Sequence, residues 1–421
     1  MNLPKADDLR PHEYKFMMKR RVLPLAVMLS AAGAIALTAQ AQWQDVIRNL
    51  RHPKPEVRLA AVEKLGEAAY VPGIEPVAPL IGDPDDRVQS AALEAELTFF
   101  VTERLGSIRV LSMGGSKSRA QQAFDAGPLV RTATIAPTAL VDQLILAIRD
   151  ENARVRFDAI HSLGFIADTP LSPEQERGLI DGLDHYDPLM RAATARVLGR
   201  MHLRRAGDKL IDGLSDSSDI VRGFAIEAIG RVREDRALTS LRDYIIKAGK
   251  KNVDALMLAV ARIGSPDDRD LFREHLADRS VVARRAAIEG LGRIGDRDSM
   301  EAISQLMKTE KSEEVKLAAA FALQLLGQTQ THVIASTMVL EKQRTQAQEY
   351  LFELGGVAVP GIASALKVAV DSRHRSDLLQ CVGYLGNVDD IAIVEPFLKD
   401  PDDRVIRAAT NATLRLKRRG Q

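Results

Sequence analysis

The sequence predicts an all-α protein, a solenoid of about eleven two-helix repeats. Three observations predict it: a ten-residue pattern that recurs along the chain, apolar residues at helical spacing inside each copy, and a core composition poor in aromatics. The chain has 421 residues, too many for one ordinary compact core, so several domains or a repeat array are the prior expectation. Hydrophobic residues make up 46% of it and aromatics only 4%. Ala, Leu, Ile and Val therefore fill the core, which suits closely packed helices.

The pattern is plain when Val57–Gly66, Val155–Gly164 and Val221–Gly230 are aligned. Met190–Gly199, Ala255–Gly264, Ala283–Gly292, Gln346–Gly355 and Asp377–Gly386 follow the same plan. Val88–Leu97, Val315–Gln324 and Ile406–Arg415 carry another residue in the closing glycine slot. Successive copies lie 31, 67, 35, 31, 34, 28, 32, 31, 31 and 29 residues apart. A period near 31 with one doubled interval is the signature of stacked two-helix units. Apolar positions three and four apart give each copy one buried stripe. A central alanine lets the next helix approach, and the closing glycine is expected to supply the left-handed turn that ends the helix.

A shorter helix is expected upstream of each copy, as at Glu75–Ile81, Leu140–Ile148 and Glu395–Lys399. The two helices are joined by a polar turn such as Gly82-Asp83-Pro84-Asp85-Asp86-Arg87. Proline stops the first helix, and aspartate offers oxygens to the free amides that open the second. No stretch reads as a strand.

The run Asp-Pro-Asp-Asp-Arg-Val after Gly82, and again from Asp400, leads into each copy. In this the chain resembles the short HEAT repeats of the phycobilisome-lyase-like type, over about residues 45–417. That resemblance implies a right-handed superhelical solenoid whose second helices line the concave face. It is specific for fold and not for function, because such repeats serve scaffolds, adaptors and some enzymes.

The amino terminus points to export. Lys19-Arg20-Arg21 precedes Val22–Gln44, 23 residues without a charge, and Ala39-Gln40-Ala41 has the small-x-small form of a signal-peptidase site. Cleavage after Ala41, with Ala39 and Ala41 as its recognition residues, yields a periplasmic or envelope-associated protein that begins at Gln42. An uncleaved span would instead make a membrane-anchored adaptor. Residues 1–16 are polar, so Met17 or Met18 competes with Met1 as the start. The expected organisation is then 1–41 leader and signal or anchor, 42–102 repeats one and two, 103–138 insertion, and 139–421 repeats three to eleven.

The most repeated polar feature pairs a turn aspartate (Asp83, Asp150, Asp184, Asp216, Asp278, Asp400) with an arginine early in the second helix. The arginines are Arg58, Arg156, Arg191, Arg222, Arg284 and Arg407, with Lys316 as a variant. Because the pair recurs copy after copy, it reads as a ladder that stitches the stack; the functional alternative is a row of cations for an acidic ligand. The insertion is the main local anomaly. It carries Arg104, Arg109, Lys117, Arg119 and Arg131 against few acids, and Arg109, Lys117, Arg119 and Arg131 are the candidate partner contacts. Gly114-Gly115-Ser116-Lys117-Ser118 resembles a phosphate cradle, but it lacks P-loop spacing and no strand feeds it. A mobile basic loop or an inert insertion with a short helix from Ser118 to Phe124 are the other readings.

The rest of the sequence argues against chemistry. The 58 basic and 57 acidic residues leave a net charge of +1, which suits solubility and not a nucleic-acid grip. One cysteine, Cys381, in an apolar helical setting, makes no intrachain disulfide and no metal cluster. The eight histidines are scattered; His12-Glu13 is the one His-Glu pair, unlike the repeated pairs of deoxyhypusine hydroxylase. Bilin-lyase activity has no motif to carry it. No metal, cofactor or catalytic residue is expected. The basic tail Arg415–Arg419 reads as a solvated end cap, or as a contact with anionic lipid or peptidoglycan. The function expected is an exported scaffold that holds protein partners on its concave surface. An accessory subunit of a cofactor- or protein-modifying enzyme is the alternative.

Overall fold

A computed structural model describes residues 41–102, 117–167, 170–247 and 253–420. The signal segment, including Ala39, and Arg104 and Arg109 lie outside these residues. The chain divides into two compact units, Met1–Ala95 and Glu96–Gln421. The described part of the insertion thus belongs with the later repeats.

Each of the eleven sequence copies lies on a helix. They are α1 (Pro55–Glu67), α2 (Asp86–Phe100), α4 (Ala153–Ile166), α5 (Pro188–Arg200), α6 (Asp219–Val232) and α7 (Val253–Ile263). The series continues with α8 (Val281–Arg293), α9 (Glu313–Leu325), α10 (Arg344–Leu354), α11 (Ser372–Leu385) and α12 (Asp403–Arg419). One further helix, α3 (Arg119–Ala126), arises inside the doubled interval. Among the described residues there is no strand, only an isolated antiparallel bridge between Val101 and Arg131. The chain is an all-α solenoid.

The first helix of a repeat is often part α and part 3-10. Ile74–Val77 tightens into Ala78–Gly82, and Ile391–Val394 into Glu395–Lys399, where Pro79 and Pro396 each remove an amide from the i→i−4 ladder. Thr138–Ala147 has no proline inside it and stays α-helical. The second helices open as the turn chemistry requires: the side chains of Asn152, Asp187 and Asp402 each accept the amide two residues on. Their buried stripes hold the stack together. In α6 these are Val221, Ala225, Ile226, Ala228, Ile229 and Val232. A fully buried Val or Ile contributes about 1.5–3 kcal/mol before ordering costs, so stability is spread over neighbouring repeats.

At Gly264 (φ 73°) and Gly355 (φ 62°) the closing glycine supplies the left-handed turn expected of it, whereas in three other copies it has a different role. Gly199, Gly230 and Gly292 are still helical, and the left-handed residue comes three positions later, at His202 (φ 53°), Arg233 (φ 56°) and Gly295 (φ 72°). What the glycine permits is approach. A Cβ at Gly199, Gly230 or Gly292 would lie 2.7, 2.8 or 2.7 Å from the Cα of Ala228, Ala259 or Ala322 in the next second helix. Glycine of one repeat against alanine of the next thus sets the helix spacing. Gly292→Ala gains up to about 1 kcal/mol of helix propensity. It also forces a backbone contact whose relief costs about 1–3 kcal/mol. The expected result is a lower melting temperature; an unchanged or higher one would overturn the close-approach reading.

Candidate functional site

The turn ladder is resolved atom by atom. Arg58 forks onto Asp83 at 2.7 and 2.8 Å, and Arg191 onto Asp216 at 2.8 and 2.9 Å, each aspartate lying 25 residues on in the next repeat. Arg375 reaches Asp400 in the same way at 2.8 Å, and Arg284 meets Glu310 at 2.9 Å. The arginines also close their own turns. Arg156 donates to the carbonyls of Asp150 and Glu151, Arg222 to that of Asp216, and Arg284 to those of Asp278 and Arg279. Meanwhile Asp83, Asp150, Asp216, Asp278 and Asp400 each accept the amide two residues on. Asp184 binds Lys209 at 2.9 Å, Lys316 binds Glu313 at 2.8 Å, and Arg407 is exposed. The pairs Arg58–Asp83, Arg191–Asp216, Arg284–Glu310 and Arg375–Asp400 tie one repeat to the next, while Arg222 and Lys316 stay within their own repeat.

The insertion folds onto its own unit. Ser118 caps α3 by accepting the Gln121 amide at 3.2 Å, and Lys117 pairs with Asp125 at 2.6 Å. The two described residues of the run Gly114–Ser118 thus have structural partners. Helix α3 packs on α4 as one second helix packs on the next, so the doubled interval holds a reduced repeat. Phe124 of α3 is buried; its ring meets His161 edge-on at 5.5 Å and carries the guanidiniums of Arg196 and Arg200 at 5.0 and 4.3 Å.

Arg131 is 5% exposed, not the surface partner contact its charge suggested. It donates to the Phe165 carbonyl at 3.1 Å and to the Tyr384 hydroxyl at 3.2 Å. Residues 128–133 then meet the last two repeats. Arg415 donates to the carbonyls of Arg131 and Thr132, the Ala133 amide to Asn411, and the Tyr384 hydroxyl to the Pro128 carbonyl. Arg119 is half-buried. Arg415 and Arg419 also act inside the fold, Arg419 on the carbonyls of Gly386 and Tyr384.

A second, unforeseen arginine row marks the inner side of the later unit. Arg200, Arg231, Arg262 and Arg293 stand 31 residues apart, each in the last turn of its second helix. Cations there complement the negative end of the helix dipole. Across from them stands α10. Glu349 bridges Arg231 (2.6 Å) and Arg262 (3.0 Å), and Glu353 bridges Arg233 (2.6 Å) and Arg293 (2.9 Å). Buried Glu289 takes Arg285 at 2.7 Å, Arg293 at 2.9 Å and the Tyr350 hydroxyl at 2.5 Å. Between these walls and residues 125–128 lies a cavity of about 590 Å³. The signal for this row was the arginine that follows the closing glycine in Gly199-Arg200, Gly230-Arg231 and Gly292-Arg293.

The site's electrostatics follow from burial and pairing. Burial would raise Glu349, but Arg231 and Arg262 hold it down at about 2. Glu289, fully buried, is likewise held below the ordinary range by Arg285 and Arg293. Burial pushes the Cys381 thiol well up, which leaves it protonated at neutral pH. Among the described residues no group of three or more His, Cys, Asp or Glu is placed to hold a metal ion.

His161 is pushed down to about 4, first by burial and then by Arg196. Its Nδ1 lies 2.7 Å from the Phe157 carbonyl, which suits the neutral ring with that nitrogen protonated. The unfolded chain binds the proton near pH 6.5, the folded chain only near 4. Stability is therefore full above pH 6.5 and lost as the pH falls from 6.5 towards 4, by about 3 kcal/mol at most. His161→Leu is expected to flatten the melting-temperature profile in that window. An unaltered slope would show that His161 is not the group responsible.

A family model described as HEAT repeats matches residues 176–259 and 254–324. Residues 176–324 are HEAT repeats. The same period, helix pairing and turn ladder carry this repeat through the rest of the array. No curated protein is matched significantly by the sequence. Three solved structures are among those to which the chain is similar. The complex of CpcE and CpcF of phycocyanin lyase from Nostoc sp. PCC7120 is 20% identical, over 58% of this chain and 95% of that one, with a TM-score of 0.38. Human deoxyhypusine hydroxylase in complex with glycerol is 20% identical over 66% and 96%, with a TM-score of 0.28. The karyopherin Kap121p bound to the extreme C-terminus of Cdc14p is 14% identical over 89% and 40%, with a TM-score of 0.35.

Proposed function

We propose that this HEAT-repeat protein is an exported, non-catalytic scaffold for protein partners. The observation that carries the reading is a row of exposed apolar side chains along the interhelix turns. Tyr186, Leu189 and Ile220 are 79%, 50% and 51% exposed, and Leu189 and Ile220 hold equivalent positions on neighbouring second helices. Large apolar groups held open on a rigid stack favour a protein contact. The turn edge is a better surface than the inner face expected from sequence, because in the later unit arginine–glutamate bridges cross that face. Export is supported by the amino-terminal sequence, the charge-free run Val22–Gln44 after Lys19-Arg20-Arg21 with Ala39-Gln40-Ala41 at its end.

Two measurements test this. Intact mass of the native protein is expected to match a chain starting at Gln42; retention of residues 22–41 would replace export with membrane anchoring. Affinity capture from the envelope fraction is expected to recover the same partners reproducibly, and Leu189→Asp with Ile220→Asp to release them. Capture unaffected by that double substitution would sink the turn-edge assignment. A second reading, an accessory subunit of a cofactor- or protein-modifying enzyme, is favoured by one observation, the arginine-lined cavity of about 590 Å³ on the inner side.

A further inference from the structure

The cavity on the inner side of the later unit has more positive charge than its own carboxylates satisfy. Each of its four acids is already held by two cations: Asp125 by Lys117 and Arg196, Glu349 by Arg231 and Arg262, Glu353 by Arg233 and Arg293, Glu289 by Arg285 and Arg293. Arg200 and Arg204 line the same space and form no ion pair among the described residues. Arg200 spends one nitrogen on the Phe124 carbonyl and lies over the Phe124 ring at 4.3 Å. Burial first, then Arg231 and Arg196, lower its pKa to about 10, and the nearby Glu349 and Asp125, each already held by two other cations, offset this only in part. A guanidinium desolvated among other guanidiniums is costly unless an anion joins it.

The helix dipole does not account for this excess. Arg231, Arg262 and Arg293 hold the same last-turn position as Arg200, yet each is paired with a glutamate. Arg200 alone of the row has none among the described residues, and Arg204, outside the second helices, adds a further charge. The cavity's size, about 590 Å³, lies in the range of small-molecule sites.

We infer that this cavity binds a compact polyanion of small-molecule size, its carboxylate or phosphate oxygens taken by Arg200 and Arg204. Arg200 is preorganised by Phe124, and Arg204 is exposed at the mouth. This goes beyond the scaffold reading and does not depend on it.

The test is calorimetric titration of the full chain with citrate and, separately, with inorganic pyrophosphate at fixed ionic strength. At least one is expected to bind at one site per chain, and which one binds tells carboxylate from phosphate chemistry. Arg200→Gln and Arg204→Gln are each expected to weaken binding about tenfold or more, as loss of a charge-assisted contact does. Arg407→Gln, an exposed arginine of the last repeat, should leave it unchanged. Arg204→Gln carries the test should Arg200→Gln fail to fold, as circular dichroism will show. No saturable binding of either anion, or equal affinity in both cavity variants and the wild type, overturns the inference.

Discussion

Replacing Glu289 with alanine is expected to destabilise the later unit by about 3–5 kcal/mol, the range for breaking a buried ion pair by removing one partner. Glu289 is 1% exposed and holds three groups at once: Arg285, Arg293 and the Tyr350 hydroxyl. These come from α8 and α10, Glu289 and Tyr350 being 61 residues apart in sequence. Alanine leaves the Tyr350 hydroxyl, itself buried, with only Gln346 at 2.7 Å. Arg285 keeps Glu314 at 2.8 Å and Arg293 keeps Glu353 at 2.9 Å, which limits the loss. Hydrogen exchange is the better readout than a single melting point, since an array need not unfold in one step. Amides of α8 and α10 should lose protection together while those of α11 and α12 keep more of theirs. Equal protection in variant and wild type would show that the network adds nothing.

The second large effect is expected at Arg415, one of the few links between the reduced repeat and the last two repeats. Its guanidinium serves Gln380 at 2.5 Å, the carbonyls of Arg131 and Thr132 at 2.7 and 2.8 Å, and the Tyr384 hydroxyl at 3.0 Å. Each bond to a charged donor is worth about 1.5–3 kcal/mol, and they are not additive. Arg415→Ala is expected to cost about 3 kcal/mol and to expose residues 128–133 to exchange. Arg415→Lys should restore little, because one ammonium cannot serve that fork geometry. If residues 128–133 stay protected in both variants, Asn411 and Tyr384 hold the join without Arg415.

Much of this architecture was written in the chain. The eleven copies, their helical stripes, the turn aspartates and Ser118 at the start of α3 are local or periodic features. A helix period and a cap involve residues within a turn or two of each other, so sequence spacing is enough to place them. The pairs Arg58–Asp83 and Arg191–Asp216 were legible for the same reason, since a contact repeated between neighbours leaves a repeated pair of letters, whereas Asp184 and Asp400 take other cations, Lys209 and Arg375.

What sequence could not place are contacts between residues that no period links. Glu349 meets Arg231 from 118 positions away, and Arg415 meets Arg131 from 284 away. Such meetings depend on how small rotations between repeats accumulate along the later unit, and no single repeat encodes that sum. The closing glycine shows the same division. Its position was plain from sequence, but only the packed helices showed that at Gly199, Gly230 and Gly292 it admits the next helix and does not end its own. Arg131 looked like a partner contact because charge in an insertion implies exposure, until the tertiary fold supplied carbonyl and hydroxyl partners that make its burial affordable. The sequence determined the helices, their order and the stitching between neighbours. The tertiary structure decided the cavity, its arginine lining and the join of the reduced repeat to the last two, because these rest on long-range geometry and on which charges find a partner away from water.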